Sequence, residues 1–562
     1  MDLDNTTTPG ADDATATVTR RWALKGLAGA AAMAAVPFAA LRASAQAAFS
    51  PFTTATGPST GTVKALGATA SAPGTPYLVP TAPGWNATSM LTAGNTVKGY
   101  TMVGIPDGLG VFDNGDRTVT VLMNHEIGAG LGVARGHGGK GAFVSRWVVN
   151  KDTLEVVSGR DFVATPADLK LWDAAAKTWV AGDKAQPKQL EMIRLCSADL
   201  APISAYYNAA TGKGYNGRIF LNGEEAGVDT DSRGFGWVLN DNTGYQLTGF
   251  AVGKANDTTN PPPGWENLVA HPNTGDATVV IATSDGGTNQ VFVYVGAKQT
   301  DGNPVEKAGL TNGNIWSILV ASVATEDRTA NVGLTKSLAG KGAGMKISLA
   351  APNKGTTFLR PEDGAWDPRN PNVFYFVTTD RANLAADGNA ADGQDVNQIG
   401  RSRLWAVTFD NVAKIATDGS PAGKIELLLD GTEGGDMFDN IAIDGAGRIV
   451  LQEDPGNDRH NAKMWQYDTA TGALTMIFKA NPAMFGDVVN KTFTPATAPF
   501  NVDEEFSGVV DASAAFGNAA WFRPGSQVWL AVAQAHFDYD KTDPTGLALY
   551  QGGQLLMLTK TA

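Results

Sequence analysis

Six acid-bearing segments along this chain are each followed by a short extended run, and that repeat restricts the fold more than any other feature. The opening segments are Asp107-Gly-Leu-Gly-Val-Phe-Asp113, Cys196-Ser-Ala-Asp-Leu200, Glu266-Asn-Leu-Val-Ala-His271, Glu362-Asp-Gly-Ala-Trp-Asp367, Asp439-Asn-Ile-Ala-Ile-Asp444 and Glu505-Phe-Ser-Gly-Val-Val-Asp511. The runs that follow end at Asn124-His125-Glu126, Glu224-Glu225, Ser284-Asp285, Thr379-Asp380, Glu453-Asp454 and Gln534-Ala-His536. Five of the six runs end on an acid, and the only cysteine stands where the other openings carry a carboxylate. Paired as β-hairpins, each opening and its matching end lie at one end of a sheet. Hairpins repeated around an axis would aim many oxygens and one sulfur into one mouth.

Composition supports strands. Val119-Thr-Val-Leu-Met123, Arg218-Ile-Phe-Leu221, Thr278-Val-Val-Ile281, Val373-Phe-Tyr-Phe-Val377, Arg448-Ile-Val-Leu451 and Val528-Trp-Leu-Ala-Val532 are β-branched or aromatic and too short for helices. Turn signals precede them: Asn114-Gly115, Asn216-Gly217, Thr274-Gly275, Pro371-Asn372, Gly445-Ala-Gly447 and Pro524-Gly525. A unit recurring every 65–100 residues, roughly, exceeds the blade of compact repeat propellers and implies long insertions between strands. The expected fold is all-β, a six-bladed β-propeller over residues 86–562. Sixty-six glycines in 562 residues agree with many tight turns. The net charge of −13, without a basic patch, argues against nucleic acid and anionic membrane surfaces as partners.

The N-terminus carries a different message. Thr19-Arg20-Arg21-Trp-Ala-Leu-Lys25 precedes an apolar Ala/Gly-rich run from Gly26 to Ala40, then Ala43-Ser-Ala45. Paired arginines, a weakly hydrophobic core and a small-residue cleavage site are the layout of a twin-arginine export signal, residues 1–45. The run is too short and too rich in Ala and Gly for a spanning helix, so no stable membrane insertion is expected. The expected partner is the twin-arginine export machinery, with cleavage after Ala45 or Ala47 and a periplasmic or secreted destination. Residues 46–85, rich in Ala, Thr, Gly, Ser and Pro, read as a linker and wrapping arm.

Export sharpens the question posed by Cys196. A single cysteine forms no intrachain disulfide, and an exposed thiol is a liability in an oxidising compartment. It is either a buried small hydrophobe or a thiolate held by metal; its place in the acid series and the neighbouring Arg194 favour the second. With five histidines and no His-x-x-x-His or Cys-x-x-Cys pair, a zinc cluster is not expected. His125 and His536, at strand ends, are candidates either to line the mouth or to serve the structure. Asp538-Tyr-Asp540 reads as a solvated turn, and no Gly-x-Ser-x-Gly elbow is present.

Arg194-Leu-Cys-Ser-Ala-Asp-Leu200, Arg360-Pro-Glu362 and Asp439-Asn-Ile…Gly447-Arg-Ile…Glu453-Asp454 resemble the PhoX-type alkaline phosphatases. The resemblance runs intermittently from Asn124 to His536. It implies a twin-arginine-exported six-bladed propeller whose site holds a ferric pair, bridged by a cysteine thiolate, together with calcium. Carried over, it makes Cys196 the bridge between Fe³⁺ ions and Glu266 and Glu362 ligands shared between Fe³⁺ and Ca²⁺. It makes Asp454 a Ca²⁺ ligand and Arg360 the residue that holds the substrate phosphate. Glu126, Glu225, Asp439 and Glu505 join the candidate metal ligands from the repeat itself. Two stretches depart from the family: Pro263-Gly-Trp-Glu-Asn267 replaces a Gly-Arg-Phe-x-His-Glu pattern, and Leu221-Asn-Gly-Glu-Glu225 a Thr-Cys-Glu-Glu pattern, as in a divergent branch.

Hard cations such as Ca²⁺ and Fe³⁺ prefer oxygen, and a ring of strand ends supplies more oxygens than any single strand. Two neighbouring cations of the kind the resemblance implies would polarise phosphoryl oxygens, consistent with the reaction it implies, hydrolysis of small phosphate monoesters. Two other readings fit the same ring. One is a calcium-dependent lactonase or phytase-like propeller hydrolase; the other is a non-catalytic extracellular propeller whose acids hold structural calcium.

Overall fold

The computed structural model describes residues 75–562, apart from 228–229, 327–343, 381–401, 457–459 and 490–491, together with a two-residue strand at Thr62–Val63. The expected export signal and most of the expected arm lie outside the described residues.

Six blades follow one another along the chain, antiparallel except in blade 2, where Leu169–Asp173 runs parallel to Thr243–Leu247. Blade 1 is built from Pro106–Asp113, Thr118–His125, Phe143–Asn150 and Val156–Asp161. Blade 3 begins with Trp265–Ala270 and Ala277–Ser284, blade 4 with Pro361–Trp366 and Val373–Thr378, and blade 5 with Phe438–Ile443 and Arg448–Glu453. In every case the sequence repeat supplies the first two strands. Blade 2 differs, because its opening segment is not a regular strand. Residues 195–199 touch the second strand, Ile219–Gly223, and its following residue through two isolated bridges, Leu195 with Glu224 and Asp199 with Leu221. The stretch that carries the cysteine is thus held only loosely by ladder hydrogen bonds. The extra strand Met345–Ala350 joins the outer edges of blades 3 and 4.

Both ends of the described chain build the ring. Trp85–Thr92 pairs with the C-terminal strand Gln551–Lys560 and completes blade 6. Just before it, Leu78–Pro80 adds to the outer strand of blade 5, Ala473–Ala480.

The core is divided among the seams between blades. Leu109, Val121 and Trp147 of blade 1 meet Leu530 and Met557 of blade 6, and Val279 and Val293 of blade 3 meet Phe376 and Trp405 of blade 4. Alternating side chains on each strand face the two neighbouring seams, so both faces of a blade are apolar and buried. Polar groups brace the inner strands where no ladder joins them. Asp199 accepts from the Ala270 amide at 2.9 Å, and Asp363 accepts from Asn267 Nδ2 at 2.6 Å and the Ile441 amide at 3.1 Å. These carboxyls tie blade 2 to 3 and blade 4 to its two neighbours. Burial pushes both up to about 7. They line a cavity of about 280 Å³ along the later halves of the inner strands.

Candidate metal centre

The openings of the inner strands are distorted in a repeated way. Ile105, Arg194, Gly264, Arg360 and Met437 all have left-handed backbone, with φ of 39°, 26°, 65°, 59° and 48°. Each stands two residues before a ring member: Asp107, Cys196, Glu266, Glu362 and Asp439. Only Gly264 takes this conformation without steric cost. For Ile105, a β-branched residue, it is real strain, and strain of this kind persists where the surrounding structure enforces it. Ladder register also slips at these points, between Pro106 and Leu109, Trp265 and Asn267, Pro361 and Gly364, and Phe438 and Ile441. A bulge re-aims a side chain. Asp107, Glu266, Glu362 and Asp439 sit inside the four bulges. In blade 6 Glu505 pairs regularly with Gln534, and the slip comes later, at Ser507 to Val509.

The outcome is a buried ring of Asp107, Cys196, Glu266, Glu362, Asp439 and Glu505, one from each blade and none more than 6% exposed. Cys196 joins two parts of it. Asp107, Glu126 and Cys196 each offer an atom within 4.8 Å of the others, and so do Cys196, Glu266 and Asp439. One sulfur is therefore common to two groups of carboxylates. Its Sγ is 3.1 Å from Asp107 Oδ2.

Electrostatics show how unfavourable this assembly is on its own. Burial, then Glu126 and Glu266, hold Asp107 well above the ordinary carboxyl range. Burial, then Asp107 and Glu266, push the Cys196 thiol up. Glu266 rises to about 8, mainly through burial, although a hydrogen bond from Ser197 opposes the rise. Glu225, Glu362, Asp439 and Glu505 are raised too, with burial the first cause in each. Several acceptor oxygens here have no hydrogen-bond donor: Asp107 Oδ1, Asp439 Oδ1, Asn440 Oδ1 and Gln534 Oε1. Buried acceptors without donors are costly, and crowded acids need a counter-charge. Cations satisfy both needs, so the residues present fit a metal cluster. The donor set, mostly oxygen with one shared thiolate and no imidazole in either group, suits hard cations better than a structural zinc.

A second layer holds the ring in place. Asn124 Nδ2 donates to the Cys196 carbonyl at 2.7 Å, Asn222 Nδ2 to Asn124 Oδ1 at 2.8 Å, and the buried Trp237 Nε1 to Asn222 Oδ1 at 2.9 Å. Ser197 Oγ donates to Glu266 Oε1 and receives Asn440 Nδ2 at 2.6 Å. Gly108 lets the cysteine segment approach blade 1: its amide reaches the Cys196 carbonyl at 3.0 Å, and an added Cβ would lie 2.5 Å from the Ala198 nitrogen. Gly108→Ala is expected to cost about 1–3 kcal/mol of stability through overpacking. It should lower metal content along with the melting temperature, readable by calorimetry and elemental analysis on one sample.

All the metal-ligand candidates named from sequence are brought to this mouth. Glu126 accepts from Gln534 Nε2 at 2.9 Å, and Glu225 pairs with Arg194 at 2.8 Å. The charge of Asp454 acts on Asp439, Glu505 and Arg360. Asp285 joins them through Arg360, whose Nε and Nη2 fork its carboxylate at 2.9 and 2.8 Å. Asp380 is different: its carbonyl accepts from Arg360 Nη1 at 3.4 Å, while its charge acts on Glu326. Arg360, expected to hold phosphate, has its fork on Asp285 and a further contact to Glu362 at 3.1 Å.

Sequence reasoning left Asp107, Asp285, Ser197, Asn440 and Gln534 off its candidate ligands. Asp107 occupies the repeat position of Cys196, which was signal enough to find it. Gln534 stands where blade 6 lacks the strand-end acid, and its Nε2 donates towards Asp107, Glu126 and Glu505 at 3.3, 2.9 and 3.2 Å. His125 is structural: it is buried, bonded to the Gly104 carbonyl and Ser145, and stacked on Phe143. His536 lies near the ring, 3.4 Å from Glu505. Asp538 and Asp540 bind Lys541 and Thr542 within a turn, as expected.

No family model matches the chain, and no curated protein matches it. Among solved structures, PhoX of Pseudomonas fluorescens, in complex with vanadate as a transition-state analogue, superposes with a TM-score of 0.52 at 12% identity, covering 86% of this chain and 97% of that one. The two share a β-propeller fold. A gluconolactonase from Xanthomonas campestris, XC5397, gives 0.32 at 9% identity over 85% and 90% of the two chains, and the β-propeller domain of Myceliophteria thermophila Cps50 (Swd1) gives 0.29 at 8% over 83% and 99%.

Proposed function

We propose that this protein is a metal-dependent phosphatase of the alkaline phosphatase kind, hydrolysing small phosphate monoesters at an Fe³⁺ and Ca²⁺ cluster in the propeller mouth. The observation that carries the reading is the single sulfur shared by two groups of buried carboxylates. The PhoX likeness, in fold and in the motifs around Cys196, Arg360 and Asp454, supports it. Cys196 would supply the thiolate to Fe³⁺, Glu266 and Glu362 carboxylates shared between Fe³⁺ and Ca²⁺, and Asp454 a Ca²⁺ ligand, as the resemblance implies; Asp107, Glu126, Glu225, Asp439 and Glu505 would complete the set that holds the cations. Cations held there supply Lewis acidity towards phosphoryl oxygens. The chain's own contribution is to hold its carboxylates and thiol fixed in place, the cations keeping them ionised, so that little reorganisation accompanies the reaction. Twin-arginine export to the periplasm or beyond belongs to the same proposal; none of the described helices is long and apolar enough to cross a membrane.

Elemental analysis and turnover of a nitrophenyl phosphate on one chelator-free preparation test it. Iron and calcium should co-purify, and a chelator should abolish hydrolysis. Calcium without iron, with turnover of lactones and none of phosphate esters, would turn the reading to a lactonase. Calcium with neither activity would leave a structural propeller.

A further inference from the structure

A cavity of about 740 Å³ opens on the outer rim of the propeller, between blades 2 and 3, and none of its lining residues belongs to the ring. One wall is the outermost hairpin of blade 2, Leu169–Asp173 with Thr178–Ala181. The other comes from the connection between the blade 3 strands Val291–Ala297 and Asn314–Val320. The volume is that of a small-molecule site.

The first wall is aromatic. Trp172 and Trp179 are direct partners across the hairpin, so both rings stand on one face. Their centroids are 4.6 Å apart at 64°, and Trp179 packs edge to face with Tyr245 at 6.3 Å. Gln246 fixes the pair: its Oε1 accepts from the Trp172 amide and its carbonyl from Trp179 Nε1, both at 3.0 Å. Both indoles nevertheless stay partly exposed.

The facing wall supplies fixed acceptors. Asn303 caps the turn Pro304–Lys307, and Glu306 Oε2 accepts the Asn303 amide at 2.8 Å. Gln299 Nε2 donates to the Glu306 carbonyl at 3.1 Å. The second carboxylate oxygen of Glu306 and the side-chain oxygen of Gln299 have no donor among the described residues. The charge of Glu306 acts on Tyr245, so the two walls face each other at short range.

Flat apolar rings opposite fixed oxygen acceptors match a pyranose, whose C–H face packs on an indole while its hydroxyls donate. A quaternary ammonium also seeks indoles and a carboxylate. Here, however, the two indoles pack on one another instead of surrounding a space, and Lys170 and Lys177 outnumber Glu306 among the lining charges. That balance disfavours a cation and favours a sugar bearing a carboxylate. We propose that the rim cavity binds an oligosaccharide, with Trp172 and Trp179 as its stacking platform and the exposed Lys177 selecting acidic sugar units. This binding site is independent of the phosphatase reading.

The test titrates the full-length native chain, Trp172→Ala, Trp172→Phe and Lys177→Gln calorimetrically with an oligogalacturonate, with maltohexaose and with choline. The native chain should bind the oligogalacturonate, and maltohexaose more weakly. Trp172→Ala should raise the Kd for both saccharides about 10-fold, and Trp172→Phe, with a smaller ring, should recover part of the loss. Lys177→Gln should bring the oligogalacturonate Kd close to that of maltohexaose and remove its salt dependence. Melting temperatures identify the folded variants; if Trp172→Ala does not fold, Trp172→Phe carries the test. Failure of the native chain to bind either saccharide overturns the proposal, as does native affinity in the folded Trp172 variants. Choline bound more tightly than both saccharides overturns it in favour of a cation cage. An unchanged preference for the oligogalacturonate in Lys177→Gln overturns the role given to Lys177.

Discussion

Cys196→Ser should strip the site of metal and activity together. The serine keeps the shape, but a hydroxyl ionises far less readily than a thiol, and the raised Cys196 thiol already needs a bound cation to become thiolate. Because one sulfur serves two carboxylate groups, its loss should empty both rather than one. In the proposed ferric site the visible charge-transfer colour should vanish as well, and the thiol of the native holoprotein should resist thiol reagents. A merely buried cysteine predicts another result. Serine would then cost about 1–3 kcal/mol for an unsatisfied hydroxyl and leave metal content unchanged. Iron, calcium and turnover measured on one folded Cys196→Ser sample separate these outcomes, and normal metal occupancy would end the thiolate-ligand reading.

Removing the metals should make stability strongly pH-dependent. Glu266 is raised to about 8, and Asp199 and Asp363 to about 7, above what the unfolded chain would show. Between pH 4 and 8, approximately, such a carboxyl is ionised when unfolded but protonated or strained when folded, so rising pH favours unfolding. Each group contributes about 1.4 kcal/mol per pH unit across its own interval. With cations bound the ring carboxylates are stabilised in their charged form, and their share of this loss should disappear. The chelated protein is therefore expected to melt progressively lower from pH 5 to 8, while the metal-loaded protein changes much less. Scanning calorimetry with and without chelator reads the difference. Parallel pH profiles would mean that the ring acids are not relieved by metal.

The repeat was legible because strand chemistry and turn chemistry agree in each unit. Val119–Met123 and Val373–Val377 fall inside observed second strands, and the six openings supply the buried ring. Convergence of the acids followed from that repetition alone. Local backbone geometry was not legible. Nothing in Ile105, Arg194 or Met437 announces a left-handed conformation, which only tertiary packing enforces. The bulges hide in the same way, since they change register without changing residue type. Arginine partners were also beyond reach: Arg360 and Arg194 have similar sequence settings, and the difference between them lies in the distant Asp285. Blade 2 was read as an ordinary hairpin, yet its opening touches its neighbour through isolated bridges only.

The pairing of Trp85–Thr92 with Gln551–Lys560 sets an order of events for the nascent chain. The ring has no closing partner until Gln551–Lys560 has been made, so the mouth remains an open crescent until that strand is available. Contacts between chain ends this far apart in sequence form late and slowly. A ring of ligands drawn from every blade is then assembled only once that closing strand is in place, and in the proposed metal site, metal capture would report that the whole circle has shut.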